Sequence, residues 1–219
     1  MTELSVKSIK KSAIPSRANV QFSDGNYLPL LIDDVIKLSI KKGELLSNQR
    51  LNSLTETSYL YLIKEYALRQ IASSPKTKKL LIQKISQKKY QLSQKFPILK
   101  NIVQNNDLIN HLLDELSASS LLNDLDYAKY AISRHRHKSP QFIRYFLLQK
   151  GVNPKNLPDN IFSQIDSSQN IKKYLLKKFS KPNDLADFNT KNKFIGSMLR
   201  KGFTHSEVKT VIDDFLKSK

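Results

Sequence analysis

Apolar side chains change their period once along this chain, near Ser47. Ahead of that point, in "ANVQFSDGNYLPLLI", Val20 and Phe22 precede Asp24-Gly25, and Tyr27, Leu28, Leu30 and Ile32 follow it. Asp-Gly between two apolar runs predicts a β-hairpin, because both turn positions accept positive φ. Pro29 cannot donate to a ladder, so the second strand belongs at an edge or carries a bulge. "DDVIKLSIKKGELLS" then reads as a short helix opened by Asp33 or Asp34 and closed by Gly43.

After Ser47 the apolar positions fall at three- and four-residue steps, as at Leu60, Ile63, Ala67 and Ile71, which predicts a helix interrupted at Ser73 to Pro75. "KTKKLLIQKISQ" starts a second helix, running to about Gln87. Pro97 precedes another helical stretch whose Ile98, Ile102, Ile109, Leu112, Leu113 and Leu116 share one broad face, with "NNDL" as a break inside it. Asn123 or Asp124 caps a helix carrying Tyr127, Ala131 and Ile132. Ser139-Pro140 ends that helix and starts the next, which carries Ile143, Phe146 and Leu147 and stops at Gly151.

Two short strings echo each other: "QKGVNPKNL" from Gln149 and "RKGFTHSEV" from Arg200. Each is expected to close a helix with a left-handed glycine and to drop the next side chain, Val152 or Phe203, back onto the last turn. In the second, Thr204-His205-Ser206-Glu207 forms a capping box for a helix with Val208, Val211, Ile212, Phe215 and Leu216. Laying Leu81-Ile82-Gln83-Lys84 over Leu147-Leu148-Gln149-Lys150 gives a third copy, without its glycine. The expected fold is mainly α: tandem three-helix repeats stacked in a curved array, with a small N-terminal β-hairpin segment. The divisions are 1–46 for the hairpin plus short helix, then repeats at 47–118, 119–166 and 167–219.

Charge changes the picture from scaffold to surface. The 219 residues hold 37 Lys plus Arg against 19 Asp plus Glu, a net charge of +18, which favours a polyanionic or acidic partner. The excess is concentrated after residue 60: residues 1–60 carry 8 basic and 6 acidic groups, 61–138 carry 14 and 6, and 139–219 carry 15 and 7. Cysteine is absent, so no disulfide or thiolate metal site exists, which fits a reducing cytoplasm. No apolar run suits a membrane span or a signal peptide, and a cytoplasmic protein is expected.

Ten cations are candidates for partner or nucleic-acid contact. Lys76, Lys78 and Lys79 lie at a helix start, where the macrodipole disfavours cations; a functional cluster and a solvated face both account for them. Arg134, Arg136, Lys138 and Arg144 surround the Ser139-Pro140 junction, where the N–H groups of the next helix also meet an anion, although a plain solvated face accounts for them equally. Lys150, Arg200 and Lys201 sit in the last turns of glycine-stopped helices, where dipole stability alone explains them. Lys172, Lys173, Lys177 and Lys178 read as an exposed helix face. Tyr127, Tyr130, Phe142, Tyr145 and Phe146 have the spacing of core residues more than of base-stacking ones.

No phosphate-cradling glycine motif occurs. His135 and His137 stand two apart, which on a helix separates them by about 200° and rules out a shared metal. His111 is expected half-packed and His205 exposed. Asp124 and Asp126 are explained by helix-end electrostatics. Neither an enzyme nor a cofactor or metal site is expected.

"YALRQIASSPKTKKLLIQKI" (66–85), "NDLDYAKYAISRHRHKSPQFIRYFLLQKGV" (123–152) and "FIGSMLRKGFTHSEVKTVI" (194–212), with "DVIKLSIKKGELLS" ahead of them, resemble in order and spacing the RecX regulators of bacteria. Departures are Asn123-Asp124 where the family has an acidic pair, the missing glycine of the first copy, and a longer stretch from 86 to 118. The resemblance implies a non-catalytic regulatory protein of three three-helix modules, monomeric, binding the groove of the RecA recombinase filament on DNA. It further implies modulation, most often inhibition, of RecA in DNA recombination, DNA repair and the SOS response, with non-specific DNA phosphate contacts and no membrane. A competing reading is a helix-turn-helix DNA-binding transcription regulator. Against it, no helix presents a run of outward Arg, Asn and Gln suited to reading bases.

Overall fold

A computed structural model describes residues 4–185 and 187–217. Two compact units divide the chain, 1–123 and 124–219.

The first unit opens with a three-stranded antiparallel sheet, β1 (Val6–Lys11), β2 (Arg17–Phe22) and β3 (Tyr27–Leu31), in that order. The expected hairpin is β2–β3, with Val20 opposite Leu28 and Asn19 opposite Pro29. Pro29 therefore lies on an edge strand, as its missing N–H requires. β1 leaves little trace in the sequence because "VKSIKK" buries only Val6 fully and alternates weakly.

The short helix α1 (Ile32–Lys37) ends earlier than expected. Ser39, at φ 49°, takes the left-handed position, and Ile40 N–H bonds the Val35 carbonyl at 3.1 Å. Gly43 instead serves a later turn, where its N–H meets the Val6 carbonyl at 2.8 Å and draws the segment against β1. A β-branch-free polar residue tolerates the left-handed basin well enough once an apolar residue behind it is buried, here Ile40.

α2 (Asn48–Ser73), capped by Ser47, lays Leu54, Tyr59, Leu62, Ile63 and Ala67 into the same core as Val20, Phe22, Leu28 and Leu30 of the sheet. Ser58 hydroxyl donates to the Pro29 carbonyl at 2.8 Å, fastening helix to edge strand. α3 (Lys78–Lys95) is capped by Thr77 and runs well past Gln87. Without a glycine after Lys84, Leu81, Ile85 and Leu92 keep one buried stripe and nothing stops the helix. Residues 97–104 form 3-10 turns, Pro97–Leu99 and Ile102–Gln104, in place of the expected helix. The break at "NNDL" is where α4 (Asn106–Ala118) begins, with the Asn105 side chain accepting from Asp107 N–H at 3.0 Å.

The second unit contains α5 (Asp124–His135), α6 (Pro140–Gln149), α7 (Ser167–Lys178), α8 (Phe188–Leu199) and α9 (His205–Lys217). Both glycine stops form as the sequence requires. Gly151 and Gly202 have φ 89° and 86°. Val152 N–H reaches the Leu147 carbonyl at 3.0 Å and Phe203 N–H the Met198 carbonyl at 3.3 Å, with both side chains buried. The two stops lead into different structures. Thr204 and Glu207 exchange the two bonds of a capping box, at 2.7 and 3.2 Å, and α9 begins. After Val152 the chain makes 3-10 turns at Pro154–Asn156 and Asp159–Phe162 instead of a new α-helix. Pro154 and Pro158 each lack the N–H a continuous helix would use there.

The core of this unit includes a cluster in which α7, α8 and α9 pack Ile171, Leu175, Phe194, Met198, Phe203, Val208 and Ile212 together. No helix among the described residues is long and apolar enough to cross a membrane.

Candidate functional site

Ser139 organises a cationic part of the second unit. As N-cap of α6 it accepts from Phe142 N–H at 3.0 Å, and its hydroxyl donates to the Gly202 carbonyl at 2.6 Å. Its own N–H donates to the Lys201 carbonyl at 3.2 Å. The start of α6 and the end of α8, far apart in sequence, are thereby held together.

Lys138 and Lys201 flank this contact and act on each other. Partial burial first, and the Lys201 charge second, hold the Lys138 ammonium below the ordinary lysine pKa. Each rests on an aromatic ring, Lys138 Nζ 4.9 Å from the centre of Phe142 and Lys201 Nζ 4.5 Å from that of Tyr174. Lys150 lies similarly over Phe146, at 5.4 Å. Stacking of this kind keeps long cations ordered and presented instead of sweeping through solvent.

His135 and His137 join the cluster, contrary to the helical spacing that separates them. α5 ends at His135, so His137 lies in the following turn and the two ring centres come within 6.4 Å. His135 also packs on Phe146 at 4.6 Å. Burial, then His137, Arg134 and Lys138, lower its pKa; burial, then Lys138, Lys201 and Arg136, lower that of His137. Among the described residues none of Arg134, Arg136, Lys138, Arg200 or Lys201 makes an ion pair with a carboxylate. No group of three or more metal-ligating side chains lies among the described residues either.

Arg144 does not belong with Lys138. It points to another side of α6, its guanidinium carbon 4.1 Å from the ring centre of Phe162, which fixes the 3-10 segment. Arg134 is exposed and bonds the Tyr130 hydroxyl at 3.2 Å. Arg136 and Arg200 are exposed. Of the aromatic residues, Tyr127 is core, Phe142 and Phe146 are half-buried beneath cations, and Tyr145 is exposed. The lysines of α7 at 172, 173, 177 and 178 are exposed, as its pattern requires.

In the first unit the half-buried Lys76 folds back on the residues before it, donating to the Ser74 carbonyl at 2.8 Å and hydroxyl at 2.6 Å. Lys78 is neutralised by Asp114 of α4 at 2.7 Å. Lys79 stays exposed. A lysine unfavourable at a helix start is thus explained for Lys78 by a partner on another helix, which no local pattern reveals. His111 is exposed, beside an apolar cavity of about 520 Å³ that includes Leu60, Leu68 and Leu112.

No protein-family model matches the chain. Curated relatives do: the regulatory protein RecX of Clostridium botulinum is 24% identical over 98% of this chain and 95% of its own length. The regulatory protein RecX of Streptococcus uberis is 24% identical over 88% of this chain and 70% of its own. Over most of its length the chain is similar to proteins of the RecX family. A crystal structure of a regulatory protein RecX shares the fold, with a TM-score of 0.60 at 19% identity, covering 96% of this chain and 99% of that one. In the sequence, the signal for the cationic cluster was half visible. Ser139-Pro140 marked the junction, but nothing in the local pattern placed Lys201 beside Lys138.

Proposed function

We propose that the protein is a non-catalytic regulator that binds the filament formed by the RecA recombinase on DNA and restrains its activity. The observation that carries this reading is the pairing of Lys138 with Lys201 across the Ser139–Gly202 contact. With Arg136 it forms a concentrated positive field that no ion pair among the described residues quenches. Like charges held together oppose folding and are offset when a polyanion meets them. Similarity to proteins named regulatory protein RecX supports the same direction.

On this reading the chain acts in the cytoplasm as a monomer, through three helical repeats at 47–118, 119–166 and 167–219 behind an N-terminal module at 1–46. Phosphates of the filament's DNA or acidic side chains of its protomers meet the cluster. Binding restrains strand exchange only by the difference in affinity between filament conformations, so no catalytic group is needed.

Co-sedimentation with RecA on single-stranded DNA at two salt concentrations tests this, alongside naked duplex DNA. Association with the filament that weakens with salt and exceeds association with duplex is expected. No association at either salt concentration defeats the reading. A sequence-dependent footprint on duplex DNA would favour a transcription regulator instead.

A further inference from the structure

A groove of about 690 Å³ runs along α5 in the second unit. Leu125, Lys129 and Ile132 of α5, with Arg136 just past its end, form one wall, and Ile161 and Ile165 belong to the wall made by the 3-10 segment and the residues after it. Its origin lies in the unequal sequels to the two glycine stops. After Gly202 the chain re-enters a helix, α9, which packs along α7 and buries Val208, Val211 and Ile212. After Gly151 the prolines at 154 and 158 impose turns, so this stripe of α5 faces turns and open space where α7 faces a helix.

Charge in the groove is of one sign. Lys129 and Arg136 are exposed, lie seven residues apart, and make no ion pair among the described residues. None of the residues lining the groove is acidic. We propose that it receives an acidic amphipathic helix of a partner protein, taking the place along α5 that α9 takes along α7. Apolar side chains of that helix pack on the partly exposed Ile161, beside the edges of the buried Ile132 and Ile165, and carboxylates two turns apart meet Lys129 and Arg136. The partly exposed Ile161 favours this over a phosphodiester strand, which would use only the two cations. This assignment goes beyond the filament reading and does not depend on it.

The test uses the full chain, isotopically labelled for NMR, and a defined probe: a helical peptide of about sixteen residues, roughly 24 Å long, built from Glu, Ala and Leu with Glu seven apart. Controls are the same peptide with Ser for Leu, and oligothymidine. The Leu-containing peptide is expected to shift amide signals around Lys129, Ile132 and Ile161. The Ser peptide should bind at least about tenfold more weakly, and the double variant Lys129→Glu, Arg136→Glu should lose about tenfold or more for the Leu peptide. Oligothymidine should shift signals around Lys138 and Lys201 instead. Should the double variant misfold, Ile161→Ser serves: it should weaken the Leu peptide and leave the Ser peptide unchanged. Equal perturbation of the groove by oligothymidine, equal binding of the two peptides, or absence of shifts in the groove overturns the proposal.

Discussion

The Ser139 hydroxyl donates to the Gly202 carbonyl at 2.6 Å, across 63 residues of sequence. The two helix ends it joins are so close that a methyl group on Gly202 would lie 2.5 Å from the Ser139 hydroxyl oxygen and 2.7 Å from the Phe142 Cβ. Gly202 is therefore required twice over, by its φ of 86° and by the approach of α6.

Gly202→Ala should destabilise the protein by about 2–5 kcal/mol, combining left-handed strain with overpacking. Gly43→Ala, at φ 85° but with no atom within 4 Å of the added carbon, should cost only about 1–2 kcal/mol. Urea unfolding of both variants checks the difference. Equal losses would mean that the contact with α6 is not tight.

Lys138→Ala and Lys201→Ala should each reduce the salt dependence of filament association by about one unit of slope, with helicity unchanged. Lys78→Ala should alter association by less than about twofold, because Asp114 already neutralises that lysine. Sedimentation across a salt series separates the two classes.

His135 and His137 should make the free protein and its complexes respond oppositely to acid. Both have pKa values below the ordinary histidine value of about 6.5. Below that value the unfolded chain binds protons more readily than the folded one, so the stability these groups contribute is present above about pH 6.5 and is lost as pH falls through their folded values. A polyanion over Lys138 and Lys201 stabilises the imidazolium forms, so association should tighten over the same interval. Denaturant titrations and filament binding at pH 7.5 and 5.5 read the two trends, and His135→Gln with His137→Gln should flatten both.

Arg144→Gln should lower stability by about 0.5–1 kcal/mol through loss of the Phe162 contact and leave filament association unchanged. A large loss of association at intact stability would return Arg144 to the binding surface.

Tyr59 is fully buried, and its hydroxyl has no hydrogen-bond partner among the described residues; burial pushes its pKa up to about 12. Tyr59→Phe should therefore be neutral or stabilising by up to about 1 kcal/mol. Thermal unfolding measures it.

The sequence by itself determined the features that arise within one or two turns of chain. Left-handed glycines at 151 and 202, the Thr204–Glu207 box, the Ser139 cap and the Asp24-Gly25 hairpin are local exchanges of hydrogen bonds, so their residues announce them. Tertiary structure alone decided the rest. It gave Lys78 to Asp114 and Arg144 to Phe162, and set Lys138 against Lys201, because a long side chain takes its partner from whichever element packs beside it. It also let Ser39 take the role expected of Gly43, since burial of Ile40 outweighs the modest penalty of a left-handed serine.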